Sequence, residues 1–231
     1  MPAQPNQSLA DGILLLGLLC STGRLGTLDA ARTLGWEPTR ANRLLGTLRD
    51  IGLAEQDSSR QYLPGPGIHV LAAQCLQGSG LLAIAMPILR EVERPGLGLA
   101  IGVLWRGDVC YLLHAEPGET LDAGLRDYTP YPANKSSIGL ILEAHLEPAN
   151  PVNSAAVRSK ARKLGYAVNP DSEAVHRSVA VPIFGGKGLP PIAGLAFIGN
   201  LEEHRPADLA ERLQVVAQQI TDARILAHRR T

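Results

Sequence analysis

The sequence has too few cysteines to be held together by disulfide bonds or by a zinc ribbon. Its three cysteines, Cys20, Cys75 and Cys110, are odd in number and far apart, which suits neither arrangement. Long hydrophobic runs are missing too, since the longest, near Ile13–Leu16 and Leu81–Leu89, are about half of a membrane-spanning helix. No basic segment precedes an apolar stretch with a small-residue cleavage site, so we expect no secretory signal. These absences predict a soluble cytoplasmic protein with no membrane partner.

An excess of charge of either sign is also missing. The 22 lysines and arginines equal the 22 aspartates and glutamates, and no lysine precedes Lys135. Up to residue 66, six arginines balance six acidic residues. A bulk basic field therefore does not mark this segment as a nucleic-acid binder. One local excess remains, because three arginines and no acid occur between Pro38 and Arg49.

The sequence does contain enough apolar residues for a folded core. Hydrophobic residues make up 45% and charged residues 19% of the 231 positions, a balance that excludes wholesale disorder. This length suits one large domain or two small ones.

Helical periodicity organises the first 66 residues. A first helix is predicted from Ser8, as its N-cap, to Cys20. Because this helix is apolar almost all round, we expect it to contact another subunit as well as its own core. A short second helix is predicted over residues 27–35 and a third over residues 38–51.

The third predicted helix has a polar outer face. This face carries Thr39, Asn42, Arg43, Gly46 and Arg49, with Arg40 and Thr47 on its flanks. A short helix, a tight turn and a longer helix with exposed arginines are typical of a helix-turn-helix. Strand-like segments at 53–56 and 60–63, joined by Asp57-Ser58-Ser59, fit a hairpin wing. The alternative is a generic three-helix domain whose third helix simply faces water.

The second half of the chain alternates strands and helices. Residues 67–80 are predicted to form a linker helix, because glycines and prolines mark both of its ends. The predicted strands are 97–105, 109–115, 121–126, 166–168, 176–184 and 192–198, and the predicted helices are 81–92, 136–146, 154–164 and 206–228. Helices segregated around a mostly antiparallel sheet indicate an α+β fold.

Motifs for catalysis, cofactors or metals are not found. The glycines of 96–102 miss the dinucleotide fingerprint by one residue, and those of 185–188 lack P-loop spacing. The histidines show no metal-ligand spacing. His114 beside Glu116 is a candidate catalytic pair, although such a pair is more typical of a satisfied strand-end histidine. Since no nucleophile, base and orienting group can be assembled, the sequence predicts neither an enzyme nor a resident cofactor or metal.

Two parts of the sequence resemble a single family. Residues 39–54, with the core Arg43-Leu44-Leu45-x-Thr47-Leu48 and then Gly52-Leu53, resemble the winged helix-turn-helix of IclR-type bacterial transcriptional regulators. Lys163-Leu164-Gly165-Tyr166-Ala167-Val168, residues 178–184 and residues 193–199 resemble the effector domain of the same family. The stretch 136–144 is similar to the pocket-side helix of that domain. The resemblance covers nearly the whole chain in the right order.

The resemblance implies three structural parts. These are a winged helix-turn-helix in residues 1–66, a linker helix in 67–80 and a GAF-like effector-binding domain in 81–231. Family members bind operator DNA as dimers, often paired into tetramers, and a small metabolite changes that binding. For this chain the resemblance implies a regulator that binds double-stranded operator DNA and a small-molecule effector such as an organic acid.

Matching by position also implies site residues. DNA contacts are expected from Thr39, Arg40, Asn42, Arg43 and Thr47 of the third helix and from Ser58, Ser59 and Arg60 of the wing. Effector contacts are expected from Asn134, Ser136, Ser137, Gly139, Asp171 and Val179. The free amides at the helix start favour an anionic ligand.

The effector region departs from the family pattern in several places. Leu140 stands where the family often carries a lysine, and residues 174–177 lack a usual glycine. These departures favour a different, more apolar ligand, and a degenerate pocket stays open as the alternative. Two other classes stay open, a small-molecule sensor and an enzyme, each with a vestigial DNA-binding module.

Overall fold

The computed structural model describes residues 6–125, 130–148, 150–169, 177–202 and 204–228. The chain divides into two units, Met1–Ser79 and Gly80–Thr231. The first contains α1 (Gln7–Thr22), α2 (Thr27–Leu34), α3 (Pro38–Asp50), β1 (Ala54–Gln56), β2 (Tyr62–Pro64) and α4 (Pro66–Ser79). The second contains α5 (Leu81–Arg90), β3 (Gly98–Trp105), β4 (Asp108–Ala115), β5 (Tyr131–Pro132), α6 (Ser137–Leu146), α7 (Ala155–Leu164), β6 (Ala167–Val168), β7 (Arg177–Phe184), β8 (Pro191–Gly199) and α8 (Pro206–His228).

Helix α1 begins two residues earlier than the sequence suggests. Asn6 is its N-cap, because its backbone is extended and its Oδ1 accepts a hydrogen bond from the Leu9 N–H at 3.1 Å. The N-cap predicted at Ser8 is wrong, since Ser8 already lies within the helix. Leu15 and Leu19 of α1 are fully buried in one core with residues of α2, α3 and the hairpin.

The hairpin of the first unit is attached to the helices by both packing and backbone pairing. Strands β1 and β2 are antiparallel, with Glu55 opposite Leu63. The N–H groups of Leu25 and Tyr62 each donate to the carbonyl oxygen of the other residue at 2.9 Å, so Leu25 adds a third strand position. The Tyr62 side chain is buried in the helical core. Three helices with an attached hairpin are the winged helix-turn-helix predicted from the sequence.

The second unit is built on a six-stranded sheet in the order β5-β4-β3-β8-β7-β6. Every neighbouring pair is antiparallel. Helices α5 and α8 share a core with one face of the sheet, and α6 shares a second core with the other. The predicted α+β fold class is confirmed.

One predicted strand in this unit is wrong. Asp122–Gly124, within the segment predicted as a strand over 121–126, form a 3-10 turn. The turn packs closely on β4, since a Cβ at Gly124 would lie 2.6 Å from the Ala115 nitrogen. Alternating apolar residues over so short a run do not distinguish a strand from a turn packed on a sheet. In contrast, Tyr131–Pro132, which lie outside every predicted strand, pair with β4 as a short edge strand.

The two faces of the sheet differ in side-chain size. Large residues such as Leu99 and Phe197 face α5 and α8. Small residues face α6: Ala100 pairs with Ala196, which pairs with Ala180, so three alanines form one row across β3, β8 and β7. This row, hereafter the alanine row, lets α6 lie close to the sheet.

The close approach of α6 predicts that added volume beside the alanine row destabilises the protein. A Cβ at Gly194 would lie 2.7 Å from Ile138 Cγ2. We therefore expect Gly194→Ala to lower the free energy of unfolding by about 1–3 kcal/mol. Chemical denaturation followed by circular dichroism measures this loss.

Gly12→Ala is the matched control. A Cβ at Gly12, within α1, meets no atom within 4 Å. This substitution should be neutral or should stabilise the helix by about 0.5–1 kcal/mol. Equal stability of Gly194→Ala and the wild type would contradict the close packing of α6.

Candidate functional site

The outer face of α3 presents two side chains with unused hydrogen-bonding groups. Asn42 and Arg43 are exposed, and neither side chain forms a hydrogen bond or ion pair with the described part of the chain. Thr39 is also exposed at the start of the helix. Thr47 is engaged by its own helix, because its hydroxyl donates to the Arg43 carbonyl oxygen at 3.0 Å. Asn42 and Arg43 are therefore the α3 side chains whose donors are exposed and unengaged within the described residues.

Arg40 is held within the first unit. Its guanidinium forms an ion pair with Asp11 of α1 and lies 4.7 Å from the centroid of the Trp36 ring. Gln7 Nε2 also donates to Asp11 Oδ1 at 2.8 Å. These contacts anchor α3 to α1 and engage the Arg40 guanidinium within the first unit.

The Asp11 carboxylate is buried but well supplied with donors. Its side chain is 8% exposed, and hydrogen bonds from Arg40 and then Gln7 lower its pKa, although burial opposes them. Charged hydrogen bonds of this kind favour the ionised form. Asp11 is thus an anionic anchor for the helix that carries Arg43.

The wing turn is organised around Asp57. Its Oδ1 accepts hydrogen bonds from the Ser59 N–H at 2.9 Å, the Ser59 hydroxyl at 2.7 Å and the Gln61 N–H at 3.0 Å. Arg24 pairs with the same carboxylate and donates to the Ser59 hydroxyl. The pKa of Asp57 is lowered, chiefly by the Ser59 hydroxyl. Ser59 therefore shapes the wing, whereas Ser58 and Arg60 are exposed at its tip.

A cavity of about 320 Å³ lies on the α6 side of the second unit's sheet. Its volume is at the lower end of the range for small-molecule sites. Strands supply an apolar floor, the start of α6 covers it, and polar groups come from β4, β7 and the turn before α6. The main contributors are Ala100, Ala196 and Ile198; Lys135, Ser137 and Ile138; Tyr111, His114 and Glu116; and Ser178.

A β-bulge brings Tyr111 and His114 to the same cavity. Ile101 pairs with Leu113, but the next residue, Gly102, pairs with Tyr111, so Leu112 is the extra residue of β4. Residues three positions apart face opposite sides of a regular strand, and the bulge reverses this for the residue beyond it. The two rings contact edge to face with centroids 4.9 Å apart.

Hydroxyl groups link the start of α6 to the sheet. Ser136 caps α6, with its Oγ accepting from the Gly139 N–H at 3.2 Å, and also lies 3.0 Å from the Tyr111 hydroxyl. Burial raises the pKa of Tyr111, so its phenol stays neutral at physiological pH. Ser137 Oγ and Ser178 Oγ are 2.7 Å apart.

Both basic and acidic side chains line the cavity. Lys135, from the turn before α6, and Glu116, which follows β4, both line it. His114 Nδ1 lies 3.6 Å from Glu116 Oε1, which is longer than a hydrogen bond. Neither Glu116 carboxylate oxygen accepts a hydrogen bond from a described residue.

The effector residues expected from the sequence are only partly brought together. Ser137 lines the cavity, and Ser136 supports it as the cap of α6. Asn134 is exposed and does not line the cavity, while Val179 is fully buried in the core on the opposite face of the sheet. Asp171 lies outside the described residues.

Gly139 has a packing role in this arrangement. A Cβ there would lie 2.4 Å from the Ala133 carbonyl oxygen, so glycine allows α6 to rest on the preceding turn. Sequence reasoning missed Tyr111 and Ser178, and it noticed His114 and Glu116 only as a candidate catalytic pair. The bulge that unites these residues leaves no mark in the hydrophobic pattern.

Two absences can be stated for the described residues. They contain no group of three or more histidine, cysteine, aspartate or glutamate side chains that could hold a metal ion. No helix among them is both long enough and apolar enough to cross a membrane.

Known proteins resemble this chain in sequence and in fold. No protein-family model matches the chain. The HTH-type transcriptional regulator BhcR of Paracoccus denitrificans is 32% identical over 136 residues, which are 58% of this chain and 49% of that relative. The match therefore spans about half the length of the curated relative.

Solved structures match over most of the chain. An IclR family transcriptional regulator from Brucella abortus has a TM-score of 0.73 and 21% identity, covering 96% of this chain and 95% of that one. An IclR homolog from Microbacterium hydrocarbonoxydans, in complex with 4-hydroxybenzoate, has a TM-score of 0.65 and 23% identity, covering 95% and 100%. The chain has the fold of the IclR-type transcriptional regulators. The resemblance predicted from the sequence is confirmed at this level, and the IclR fold comprises a helix-turn-helix domain and an effector domain.

The lowered pKa of Asp11 predicts a pH-dependent contribution to stability within the IclR fold. A lowered folded-state pKa means that the carboxylate stabilises the protein above the usual aspartate pKa and that this stabilisation is lost as the pH falls through the folded-state value. We expect Asp11→Asn to be less stable than the wild type at neutral pH, with the two proteins converging in acid. Denaturation curves across the pH range measure the difference.

Asp29→Asn is the control for this experiment. Asp29 pairs with Arg32 at 3.3 Å on the surface, where ion pairs contribute little. Its substitution should change stability little at any pH. A difference between Asp11→Asn and the wild type that persists undiminished in acid would contradict the role of the ionised carboxylate.

Proposed function

We propose that the chain is a DNA-binding transcriptional regulator whose affinity for operator DNA is controlled by a small molecule bound in the cavity of the second unit. The exposed face of α3 is the observation that carries this proposal. Asn42 and Arg43 present unused donors on the helix that helix-turn-helix proteins insert into the major groove. The fold shared with IclR-type regulators supports the same function. A cytoplasmic location follows from this role.

The site residues of the first unit have three roles: some contact base edges, some contact phosphates, and some hold α3 and the wing in place. The Arg43 guanidinium can donate to both major-groove acceptors of guanine, N7 and O6. The Asn42 amide can bond N6 and N7 of adenine. Thr39, Ser58 and Arg60 are exposed where they can contact phosphates, which positions the protein without specifying sequence. Arg40 and Ser59 act through Asp11 and Asp57, by orienting α3 and the wing.

We infer that the cavity binds its ligand without transforming it. Ser137 Oγ is bonded to Ser178 Oγ, so the described contacts do not pair this hydroxyl with His114 as a base. His114 and Glu116 are separated by 3.6 Å, and neither is bonded to a nucleophile within the described residues. A nucleophile, its base and an orienting group in contact would be needed for covalent catalysis.

A small organic acid is the ligand class that the cavity suits. Lys135 and the amino-terminal end of α6 both favour a negative charge, and Ser137 supplies a hydroxyl donor there. The volume of about 320 Å³ admits a compact ligand. The complex of the Microbacterium homolog with 4-hydroxybenzoate supports this class. Such an effector and the operator must alter each other's affinity by the same factor.

Arg43→Ala tests the DNA-binding half of the proposal. With duplexes selected from random DNA, the substitution should weaken binding by about 1–3 kcal/mol at fixed salt. The reason is that the substitution removes the two hydrogen bonds that the Arg43 guanidinium would donate to one base. A mobility-shift titration measures the change.

Arg32→Ala is the matched control, because Arg32 is an exposed arginine of α2 in the same unit. Its loss should leave binding to the selected duplex nearly unchanged. Equal effects of the two substitutions would contradict base reading by α3. Failure of the wild type to bind any duplex at low salt would instead favour a sensor with a vestigial DNA-binding module.

We further propose that the protein is at least a homodimer, with tetramers formed by pairing dimers. Leu9 and Ile13 lie four residues apart on α1 and are 63% and 47% exposed. Substituting both by serine should weaken dimerisation by about tenfold or more, because apolar surface is no longer buried. Leu28→Ser, which changes an exposed leucine of α2, is the control. A wild type that sediments as a monomer at micromolar concentration would overturn this proposal.

A further inference from the structure

Glu116 lines the cavity, and its carboxylate accepts no hydrogen bond from the described residues. Its carboxylate approaches His114 Nδ1 no closer than 3.6 Å, and neither oxygen accepts a hydrogen bond from a described residue. An ionised carboxylate is an acceptor only, and buried polar atoms such as Glu116 Oε2 are normally partnered in native proteins. The cavity thus contains a strong acceptor that a ligand's donor can satisfy.

The opposite side of the cavity offers donors. In the Ser137–Ser178 pair, one hydroxyl hydrogen joins the two oxygens, and the other has no acceptor among the described residues. The Lys135 ammonium also lines the cavity, at the turn before α6. The carboxylate of a ligand would be stabilised by these donors, whereas Glu116 at the other end of the cavity would repel it.

Strand order separates the two ends. Ser178 is on β7 and Glu116 follows β4, with β8 and β3 between them. Three inter-strand spacings amount to roughly 14 Å between backbones, which side chains extending into the cavity shorten by several ångströms. Ala100, Ala196 and Ile198 form the apolar floor in between. The ligand must therefore have an apolar body of several carbons between its polar ends.

We propose that Glu116 determines ligand specificity. It favours acids that carry a hydroxyl or amino group at the end opposite the carboxylate, over acids with a bare apolar end or a second carboxylate. This inference rests on the proposed function of the cavity as an effector site and specifies the chemistry of the effector.

Matched acids test the inference on the full-length chain. Isothermal titration compares 4-hydroxybenzoate with benzoate and terephthalate, and 5-aminopentanoate with pentanoate and glutarate. The wild type should bind the donor-bearing member of at least one series about tenfold more tightly than its parent acid. The series that shows this preference distinguishes a hydroxyl from an ammonium group as the donor.

Substitutions at Glu116 assign the preference to this residue. In Glu116→Ala, the ratio of the affinities for the donor-bearing acid and its parent acid should fall close to one. The main reason is weaker binding of the donor-bearing acid. Glu116→Gln keeps an acceptor oxygen without the charge, so it should retain a preference for a hydroxyl and lose most of one for an ammonium group. Glu91→Ala, which removes an exposed acid at the end of α5, should leave the ratio unchanged. Unaltered thermal unfolding shows that each variant is folded.

The outcomes separate this inference from the proposed function. Equal binding within both series, no binding of any acid at millimolar concentration, or a preference that survives in Glu116→Ala would each overturn the role of Glu116. Operator binding measured with and without the preferred acid is the separate test of regulation. If the acid binds with the expected preference but operator affinity does not change, the specificity inference stands and the proposed function fails.

Discussion

The alanine row beneath α6 is the constraint on which the second unit depends. Ala100, Ala180 and Ala196 are buried, and their small size lets α6 settle against the sheet. At this distance from the sheet, α6 places Ser137 Oγ 2.7 Å from Ser178 Oγ. Larger side chains would push the helix outward and separate these hydroxyls. Two alanines of this row, Ala100 and Ala196, also line the cavity on this face of the sheet.

Buried polar contacts hold α6 at both of its ends. At the start, Ser136 caps the helix and bonds Tyr111. Towards the end, the fully buried Glu143 accepts hydrogen bonds from the Val152 N–H at 2.8 Å and from both the backbone and the side chain of Asn153. A carboxylate with three donors is stable away from water. The first unit uses the same device, since Asp11 fixes α3 through Arg40.

Much of the architecture could be predicted from the sequence, because the signals for helices and strands are local. Periodicity located most elements to within a residue or two, and the motifs around Arg43 and Gly165 indicated the family fold. The errors occurred where local patterns are ambiguous. Apolar and polar residues alternate around 122–124 as in a strand, but these residues form a turn against β4. Asn6 and Ser8 are both suitable N-caps for α1, and Asn6 is the one that caps it.

The candidate site was less predictable, since polar side chains change their role according to what they meet. Arg40 and Arg43 are both expected DNA contacts in the sequence, yet Arg40 is engaged by Asp11 and Arg43 is exposed on the surface of α3. Val179 and Ser178 are neighbours, but strand geometry places only Ser178 at the cavity. One bulge in β4 is enough to place Tyr111 beside His114.

The sequence by itself determined the type and order of the elements and the family of the fold, because these depend on residues close together along the chain. Only the tertiary structure decided which polar groups are engaged and which are available to a partner. Asp11 and Arg40 are 29 residues apart, and Ser137 and Ser178 are 41 residues apart. Such hydrogen bonds form when folding brings distant elements together, and no local pattern records them.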